Sequence, residues 1–378
     1  MTKHNAVRSL CLLYLFNGMV FSTWGIFIPY FKQFHGINDA ALSMAMFSMS
    51  AGAILVMGRA GRLVNAIGTR KSLIIFSVLY PLMLLLLFLS PSFYLACGFM
   101  LLFGMSLAVL DVAMNVEATA LEKHLNRPIL STIHGMFSLG GIVGSLSGLL
   151  AQALGLKPLP YVILMMLLIA LFSQWLSRNL RGVTTVEQGE EMVHVAMLKQ
   201  PLRLWLVGTL AFLALFSEGA MYDWSTVYIK EILRPDPHYN YLGYALFSTG
   251  MTLGRLTGDR LRKRAGDAKL LTVMACVGVL GIALILLVKS FGLSLVGFFL
   301  LGLGLANMMP LLFMAAAKGD SPNTSASIAM VTRLAYAGML TGPVIIGGIS
   351  VHFGLQAALW VISATLALIA LTGGRLMR

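Results

Sequence analysis

The chain has 378 residues, of which 58% are hydrophobic and 11% charged, and its mean hydropathy is +0.86. Soluble domains carry about 25% charged residues, so this chain has too little polar material to cover a water-exposed surface, and the soluble globular class is excluded. The formal net charge of +13 does not indicate a nucleic-acid partner, because the 27 Lys and Arg lie in short clusters between apolar runs. The composition predicts a polytopic, all-α membrane protein.

Twelve apolar runs, separated by turn and charge signals, predict twelve transmembrane helices, since a crossing needs about 20 apolar residues. With both termini cytoplasmic, cytoplasmic segments carry 21 Lys and Arg and the opposite loops carry five. The positive-inside rule favours this orientation. The first run is too long for a signal-peptide core, so we expect it to remain as a helix. The runs cover about 8–31, 40–61, 71–90, 92–120, 129–152, 159–178, 204–229, 239–258, 269–288, 291–316, 324–350 and 353–373.

The two halves of the chain repeat each other. Lys71 recurs as Lys269, and Gly155 recurs as Gly354, at offsets of 198 and 199. We therefore predict a six-plus-six duplication with an N-terminal half at 1–178, a cytoplasmic linker at 179–203 and a C-terminal half at 204–378. Further matches, at offsets from 196 to 200, pair Leu15-Phe16 and Trp24 with Leu215-Phe216 and Trp224, Gly58-Arg59 with Gly254-Arg255, and the run beginning at Gly98 with the run beginning at Gly297.

The loop after the second predicted helix has a Gly, a polar residue four positions later, another Gly and a basic pair. This pattern resembles the loop motif of the major facilitator superfamily, although Asn65 replaces the acid of that motif. The second copy keeps the acid at Asp259. Such small residues let helices approach closely, and the charges form cytoplasmic ion pairs that must break when this face opens. Because Asn65 replaces the acid, we expect these cytoplasmic ion pairs to be weaker in the N-terminal half. Glu117 is expected to pair with Arg59, Arg62 or Arg127. The predicted gating residues are Arg59, Arg62, Asn65, Glu117, Arg255, Asp259 and Arg260.

Within that superfamily the chain resembles the fucose-permease-like group, in particular bacterial inner-membrane members of uncertain substrate. The resemblance implies a proton-coupling role for Asp111, which matches the acid of a similar Leu-Glu-x-Ala-x-Asn pattern in helix 4. It also implies an acid in helix 1, but Gly25 stands there. The second acid would then be Glu218 or Asp223. The stretches that carry the resemblance are 24–33, 110–117, 134–140 and 217–224.

An ionisable side chain in a membrane helix costs at least about 2.5 to 3.5 kcal/mol, so each one needs a partner, a water-filled cavity or a function. Asp111 lies about ten residues from the cytoplasmic end of its helix, roughly 15 Å at the rise of an α-helix, and so near mid-membrane. Asn115 follows on the same face. The structural alternative for Asp111 is an ion pair with Arg333. Glu218 and Asp223 are turned by about 140° from each other, so we expect only one to face the cavity.

Two further polar residues, His134 and Arg333, are separated by 199 positions. If the duplication is structural, they occupy equivalent places on opposing walls of the cleft between the halves. An imidazole and a guanidinium suit an anionic or hydroxyl-rich solute. The alternatives are a helix–helix hydrogen bond for His134 and a salt bridge to Asp111 or Glu218 for Arg333. The predicted substrate residues are Asn17, Trp24, Asn115, His134, Phe137, Tyr222, Trp224, Asn307 and Arg333, with Tyr14, Tyr228 and Tyr336 as further aromatic candidates.

These features predict a secondary active transporter that moves a small polar solute by alternating access, coupled to protons. The solute would be sugar-like, an amino-cyclitol or an organic anion. The alternative is a proton-antiporting exporter of drugs or metabolites, and a more distant one is a membrane-embedded enzyme or sensor. The chain has no Gly-x-x-x-x-Gly-Lys-Ser/Thr loop, which disfavours ATP-driven transport. We expect no cofactor, no metal and no nucleic-acid partner, and a monomer in the bacterial inner membrane.

Overall fold

The computed structural model describes residues 3–125, 129–178, 180, 201–236, 239–288, 290–318 and 324–377. Within these ranges the regular structure is helical throughout, and eleven helical segments are long and apolar enough to cross a membrane. The all-helical, multi-pass architecture predicted from composition is therefore confirmed. The count of twelve crossings and the cytoplasmic side of the termini stay predictions. Most of the predicted linker at 179–203 lies outside the described residues.

Six helices form the first half of the chain, and they run beyond the predicted apolar segments at most ends. An α-helix can continue past its apolar stretch because each further residue adds a backbone hydrogen bond to the residue four positions earlier. They are α1 (Lys3–His35), α2 (Asp39–Ile67), α3 (Thr69–Leu89), α4 (Phe93–Leu125), α5 (Leu130–Ala153) and α6 (Pro158–Arg178).

The second half has seven described helices, because the predicted tenth crossing is interrupted at Asn307. Its amide nitrogen donates to the carbonyl of Gly254 at 2.7 Å, which ties the interruption to α8. Helix α8 is not among the eleven apolar crossings, since its composition is more polar. These helices are α7 (Leu202–Tyr228, continued by one π turn at Ile229–Leu233), α8 (Leu242–Ala265), α9 (Asp267–Leu287), α10 (Phe291–Leu305), α11 (Met308–Ala317), α12 (Thr324–Phe353) and α13 (Leu355–Leu376).

The described residues group into two compact units. The first contains the described residues within 1–37 and 44–189, and the second contains those within 38–43 and 190–378. The first turn of α2 belongs to the second unit, where Ser43 Oγ donates to the carbonyl of Pro343 at 3.1 Å. The exact boundary of the duplicated halves stays a prediction, because residues 181–200 lie outside the described part of the chain.

In the first unit, α2 and α4 cross at two glycines. A Cβ built on Gly52 would lie 2.0 Å from the carbonyl oxygen of Leu101, and one built on Gly104 would lie 1.8 Å from that of Met49. Cβ atoms do not approach other atoms so closely, so only glycine permits this crossing. Small residues at helix contacts are the usual way to bring membrane helices together, because lipid supplies no hydrophobic drive between them.

The same crossing recurs in the second unit between α8 and α10. A Cβ on Gly250 would lie 2.1 Å from the carbonyl oxygen of Phe299, and one on Gly302 would lie 2.1 Å from that of Phe247. Each of these four residues stands 198 positions after its counterpart in the first unit. The internal repeat predicted from the sequence is therefore a repeat of helix packing.

The turns that follow α2 and α8 repeat at the same spacing. Gly68 has φ of +83° and Gly266 has φ of +77°, a left-handed conformation that favours glycine. They precede α3 and α9, so the predicted match of Lys71 with Lys269 is in structural register.

The predicted match between the first and seventh helices is wrong by about one turn. Gly144 contacts the backbone of Met19 in α1, and Gly342, which lies 198 positions later, contacts that of Phe216 in α7. Met19 and Phe216 are separated by 197 positions, so the counterpart of Trp24 is Met221 and not Trp224. Trp224 lies within one turn of the true counterpart of Trp24. Such a chance recurrence is enough to misalign two helices when only the sequence is compared.

The glycine crossings predict opposite effects for two substitutions in α4. Gly104→Ala should lower the unfolding free energy by about 1–3 kcal/mol, because the new methyl group meets a backbone carbonyl that cannot move aside. Gly98→Ala is the matched control: a Cβ there has no atom within 4 Å, so it should be neutral or stabilise by up to about 1 kcal/mol. Thermal unfolding of the purified protein in detergent measures both. Equal stability of the two variants would contradict the packing role of Gly104.

Candidate functional site

The first unit holds a polar cluster between α1 and α4, which we call the α1–α4 cluster and which consists of Tyr14, Asn17, Asp111 and Asn115. The Asn17 amide donates to Asp111 Oδ1 at 2.8 Å. Tyr14 Oη donates to Asn115 Oδ1 at 3.0 Å, and the Asn115 amide donates to the carbonyl of Asp111 at 2.8 Å. Tyr14 and Asn17 lie one turn apart on α1, as Asp111 and Asn115 do on α4, so each helix presents one polar face to the other.

Helix α5 adds His134 to this cluster. Its ring meets the Tyr14 ring edge-on, with centroids 5.3 Å apart, and its side chain is exposed. The structure therefore brings together four of the predicted residues, Asn17, Asp111, Asn115 and His134, with Tyr14 linking them.

Among the residues that the structure describes, Asp111 is held by a hydrogen bond and not by an ion pair. Its side-chain partner is the amide of Asn17, which is 3% exposed. An amide can face either form of a carboxyl group, since it carries both a donor and an acceptor. The cluster can therefore accommodate Asp111 both with and without a proton.

In the second unit, a buried acid is held by an ion pair. Arg255 Nη2 lies 3.0 Å from Glu218 Oε1, with the two side chains 35% and 10% exposed. Arg255 was predicted at a cytoplasmic gate and Glu218 as a second coupling acid, so the structure joins residues from two predicted sets. Asp223 is also buried in α7, at 4% exposure, and Tyr222 packs its ring against Tyr244 with centroids 5.4 Å apart.

The two predicted tryptophans are packed inside their own units. Trp24 and Trp224 are both 0% exposed, and the Trp24 ring meets that of Phe31 with centroids 5.5 Å apart. In this conformation neither indole lines an open surface, in contrast to the predicted cavity lining. Phe137 is partly exposed and its ring lies 6.1 Å from that of Phe21.

Asn307 holds the end of α10 against α8, and its contact with substrate stays a prediction. Its side-chain nitrogen is bound to the carbonyl of Gly254, and a Cβ on Gly258 would lie 2.0 Å from its side-chain oxygen. This backbone contact explains why an amide stands at the interruption between α10 and α11.

The predicted equivalence of His134 and Arg333 is wrong by one residue. Gly140 and Gly338, which lie six and five residues further along, make equivalent contacts at an offset of 198. The counterpart of His134 is therefore Thr332. One residue on a helix is a rotation of about 100°, so His134 and Arg333 project from different sides of their helices. Both side chains are exposed, and their contact with substrate stays a prediction.

The predicted gating residues are only partly brought together. Glu117, 4% exposed, accepts a hydrogen bond from Thr69 Oγ1 at 2.6 Å. In the second unit Asp267 binds Arg262 Nε at 2.5 Å and Lys318 Nζ at 2.6 Å. Asp267 was not predicted, although an acid in the first turn of a helix, three residues after a run of three basic residues, was a usable signal. Arg59, Arg62, Asn65 and Arg260 are exposed, and the side chain of Asp259 lies outside the described side chains.

The ion pair in the second unit predicts a coupling between two substitutions. Arg255→Gln leaves the carboxylate of Glu218 buried without a cation, which should lower the unfolding free energy by about 1–3 kcal/mol. Adding Glu218→Gln should restore part of that loss, because two neutral amides can bond to each other. Denaturation of the single and double variants gives the interaction energy. Arg264→Gln, at an exposed position of α8, is the control, and additive losses from the two variants would argue against the pair.

Comparison with known proteins places this geometry in a known family. The chain is 32% identical over 357 residues to an uncharacterised MFS-type transporter of Yersinia pestis, covering 92% of this chain and 91% of the relative. It is 31% identical to membrane protein MosC of Rhizobium meliloti, covering 97% and 89%. A solved structure of a variant of the nucleoside transporter NupG has the same fold, with a TM-score of 0.84 at 12% identity over 98% of this chain and 99% of that chain. The sequence pattern of the Major Facilitator Superfamily matches residues 10–337, and the chain belongs to this superfamily of transporters, which are not enzymes.

Proposed function

We propose that this transporter couples the movement of a small polar solute to protons, and that Asp111 is the residue that takes up and releases the proton. The solute is sugar-like, an amino-cyclitol or an organic anion. The observation that carries the proposal is the hydrogen bond from Asn17 to Asp111 at 2.8 Å, in a cluster that supplies no cation to this carboxyl group.

The contrast between the two units supports Asp111 over Glu218 as the coupling acid. Glu218 lies 3.0 Å from a guanidinium, which favours its charged form in every state that keeps the pair. Asp111 faces an amide that serves both forms. A coupling acid must change its proton occupancy during the cycle, so the acid with a neutral partner is the better candidate. Asp223 is proposed as the second acid that helix 1 lacks.

The solute class follows from the side chains that stand beside Asp111. The α1–α4 cluster with His134 offers a phenol, amides and an imidazole, and these groups donate to and accept from hydroxyl groups. Arg333 in the other unit would bind an anionic or polar group through its fork of N–H donors. The structural similarity to a nucleoside transporter adds nucleosides to the solutes worth testing. We place the protein as a monomer in the inner membrane of a bacterium, with both termini cytoplasmic.

The proton role of Asp111 predicts a separation of two transport activities. A thermal-shift screen of sugars, cyclitols, organic anions and nucleosides first identifies a solute that stabilises the folded protein. In proteoliposomes, Asp111→Asn should then abolish accumulation driven by an imposed proton gradient while solute counterflow continues. Glu122→Gln is the control, because it removes another acid of α4. The glutamine oxygen can still accept the hydrogen bond that the Ile129 amide donates to Glu122. Accumulation by Asp111→Asn at the wild-type level would refute the assignment.

A substrate contact at Arg333 predicts a difference between two conservative changes. Arg333→Lys keeps the charge but loses the planar fork, so a two-point contact with the solute should weaken as sharply as in Arg333→Ala. A residue that acts only as a charge would tolerate lysine. Binding of the solute found in the screen measures both variants. Arg333 would have a structural role instead if Arg333→Lys bound the solute with nearly wild-type affinity. Recovery of binding in the double variant Arg333→Ala with Asp111→Ala would lead to the same conclusion.

A further inference from the structure

A small cavity lies inside the first unit, where α1, α3, α4 and α6 meet. It offers about 10 Å³ to the centre of a water-sized molecule, which is room for roughly one water. This volume excludes a transported solute. Its wall includes Asn17 of α1, Ser77 and Tyr80 of α3, Met114 of α4 and Ser173 of α6.

Two residues of this wall each carry a buried polar atom that has no hydrogen-bond partner among the described residues. The atoms are Oδ1 of Asn17, a residue that is 3% exposed, and Oη of Tyr80, a residue that is 1% exposed. Because the side-chain nitrogen of Asn17 donates to Asp111, the side-chain oxygen is the atom available to bond with a molecule in the cavity. Buried polar groups in native proteins are satisfied by protein or by ordered water, so two such atoms on residues that line one small cavity point to a shared partner.

We infer that the cavity binds one ordered water molecule that bridges Asn17 Oδ1 and Tyr80 Oη. The water donates one hydrogen to the amide oxygen and accepts the phenol hydrogen. Ser77 and Ser173 line the same cavity and complete the two to four polar partners that a buried water normally has.

A water at this place gives Asn17 a partner in both orientations of its amide. While Asp111 is charged, the amide nitrogen donates to Asp111 and the oxygen accepts from the water. Once Asp111 carries a proton, the amide can turn so that its oxygen accepts from the carboxyl group and its nitrogen donates to the water, because water both donates and accepts. This role rests on the proposed proton coupling, whereas the water site itself does not.

X-ray radiolysis tests the water site directly, because it creates hydroxyl radicals from bound water and so oxidises side chains that touch it. Met114 lines the cavity and Met100 does not, yet both lie on α4 and both are 0% exposed. In the purified full-length protein, Met114 should be oxidised several-fold faster than Met100. Equal rates would overturn the proposal, whatever the transport assay of Asp111→Asn shows.

Tyr80→Phe separates bound water from general accessibility. It removes one partner of the water but keeps the ring, which stacks on Phe103 with centroids 4.5 Å apart. The oxidation rate of Met114 should then fall towards that of Met100. Tyr228→Phe is the matched control, since Tyr228 is also 1% exposed but donates to the carbonyl of Ile285 at 2.9 Å. Oxidation of Met114 that is unchanged in Tyr80→Phe would contradict the bridge.

Discussion

Hydrocarbon offers no hydrogen bonds, so every polar side chain inside these helices must be satisfied by protein or by enclosed water. The two units meet this constraint with different chemistry. In the first, Asp111 is held by the amide of Asn17 at 2.8 Å, and in the second, Glu218 is held by Arg255 at 3.0 Å. An amide tolerates both forms of its acid, whereas a guanidinium favours the charged one. This asymmetry between duplicated halves is the basis for placing the proton on Asp111.

Backbone packing sets the geometry in which this chemistry operates. Gly18 and Gly140 let α1 and α5 approach until a Cβ on Gly140 would lie 2.0 Å from the carbonyl oxygen of Leu15. The residue before Leu15 on α1 is Tyr14, and this approach brings its ring centroid within 5.3 Å of that of His134. Small residues at a helix crossing thus position the aromatic and imidazole groups beside the acid, and the site depends on glycines that carry no functional group.

The sequence predicted the helical class, the internal repeat and the shared face of Asp111 and Asn115, because these depend on composition and on periodicity along one helix. It did not predict the bond between Asn17 and Asp111, which spans 94 positions, or the pairing of Glu218 with Arg255. Both depend on which helices pack together and on their rotation. The predicted match of His134 with Arg333 illustrates this limit of the sequence. The match is wrong by one residue, and one residue turns a helix by about 100°. Tyr80 was missed because Ser77 is the one polar residue near it in an otherwise apolar stretch of sequence.

Proton coupling through Asp111 requires a change in the proton occupancy of this residue, and infrared difference spectroscopy measures this change without a known solute. A protonated carboxyl group in an apolar setting has a C=O stretch that is separate from those of carboxylates and amides. In a pH titration of the purified protein in lipid, we expect a carboxylic C=O band that appears with acid and is missing from Asp111→Asn. A band that is unchanged in Asp111→Asn, and is lost instead in Glu218→Gln, would contradict coupling through Asp111.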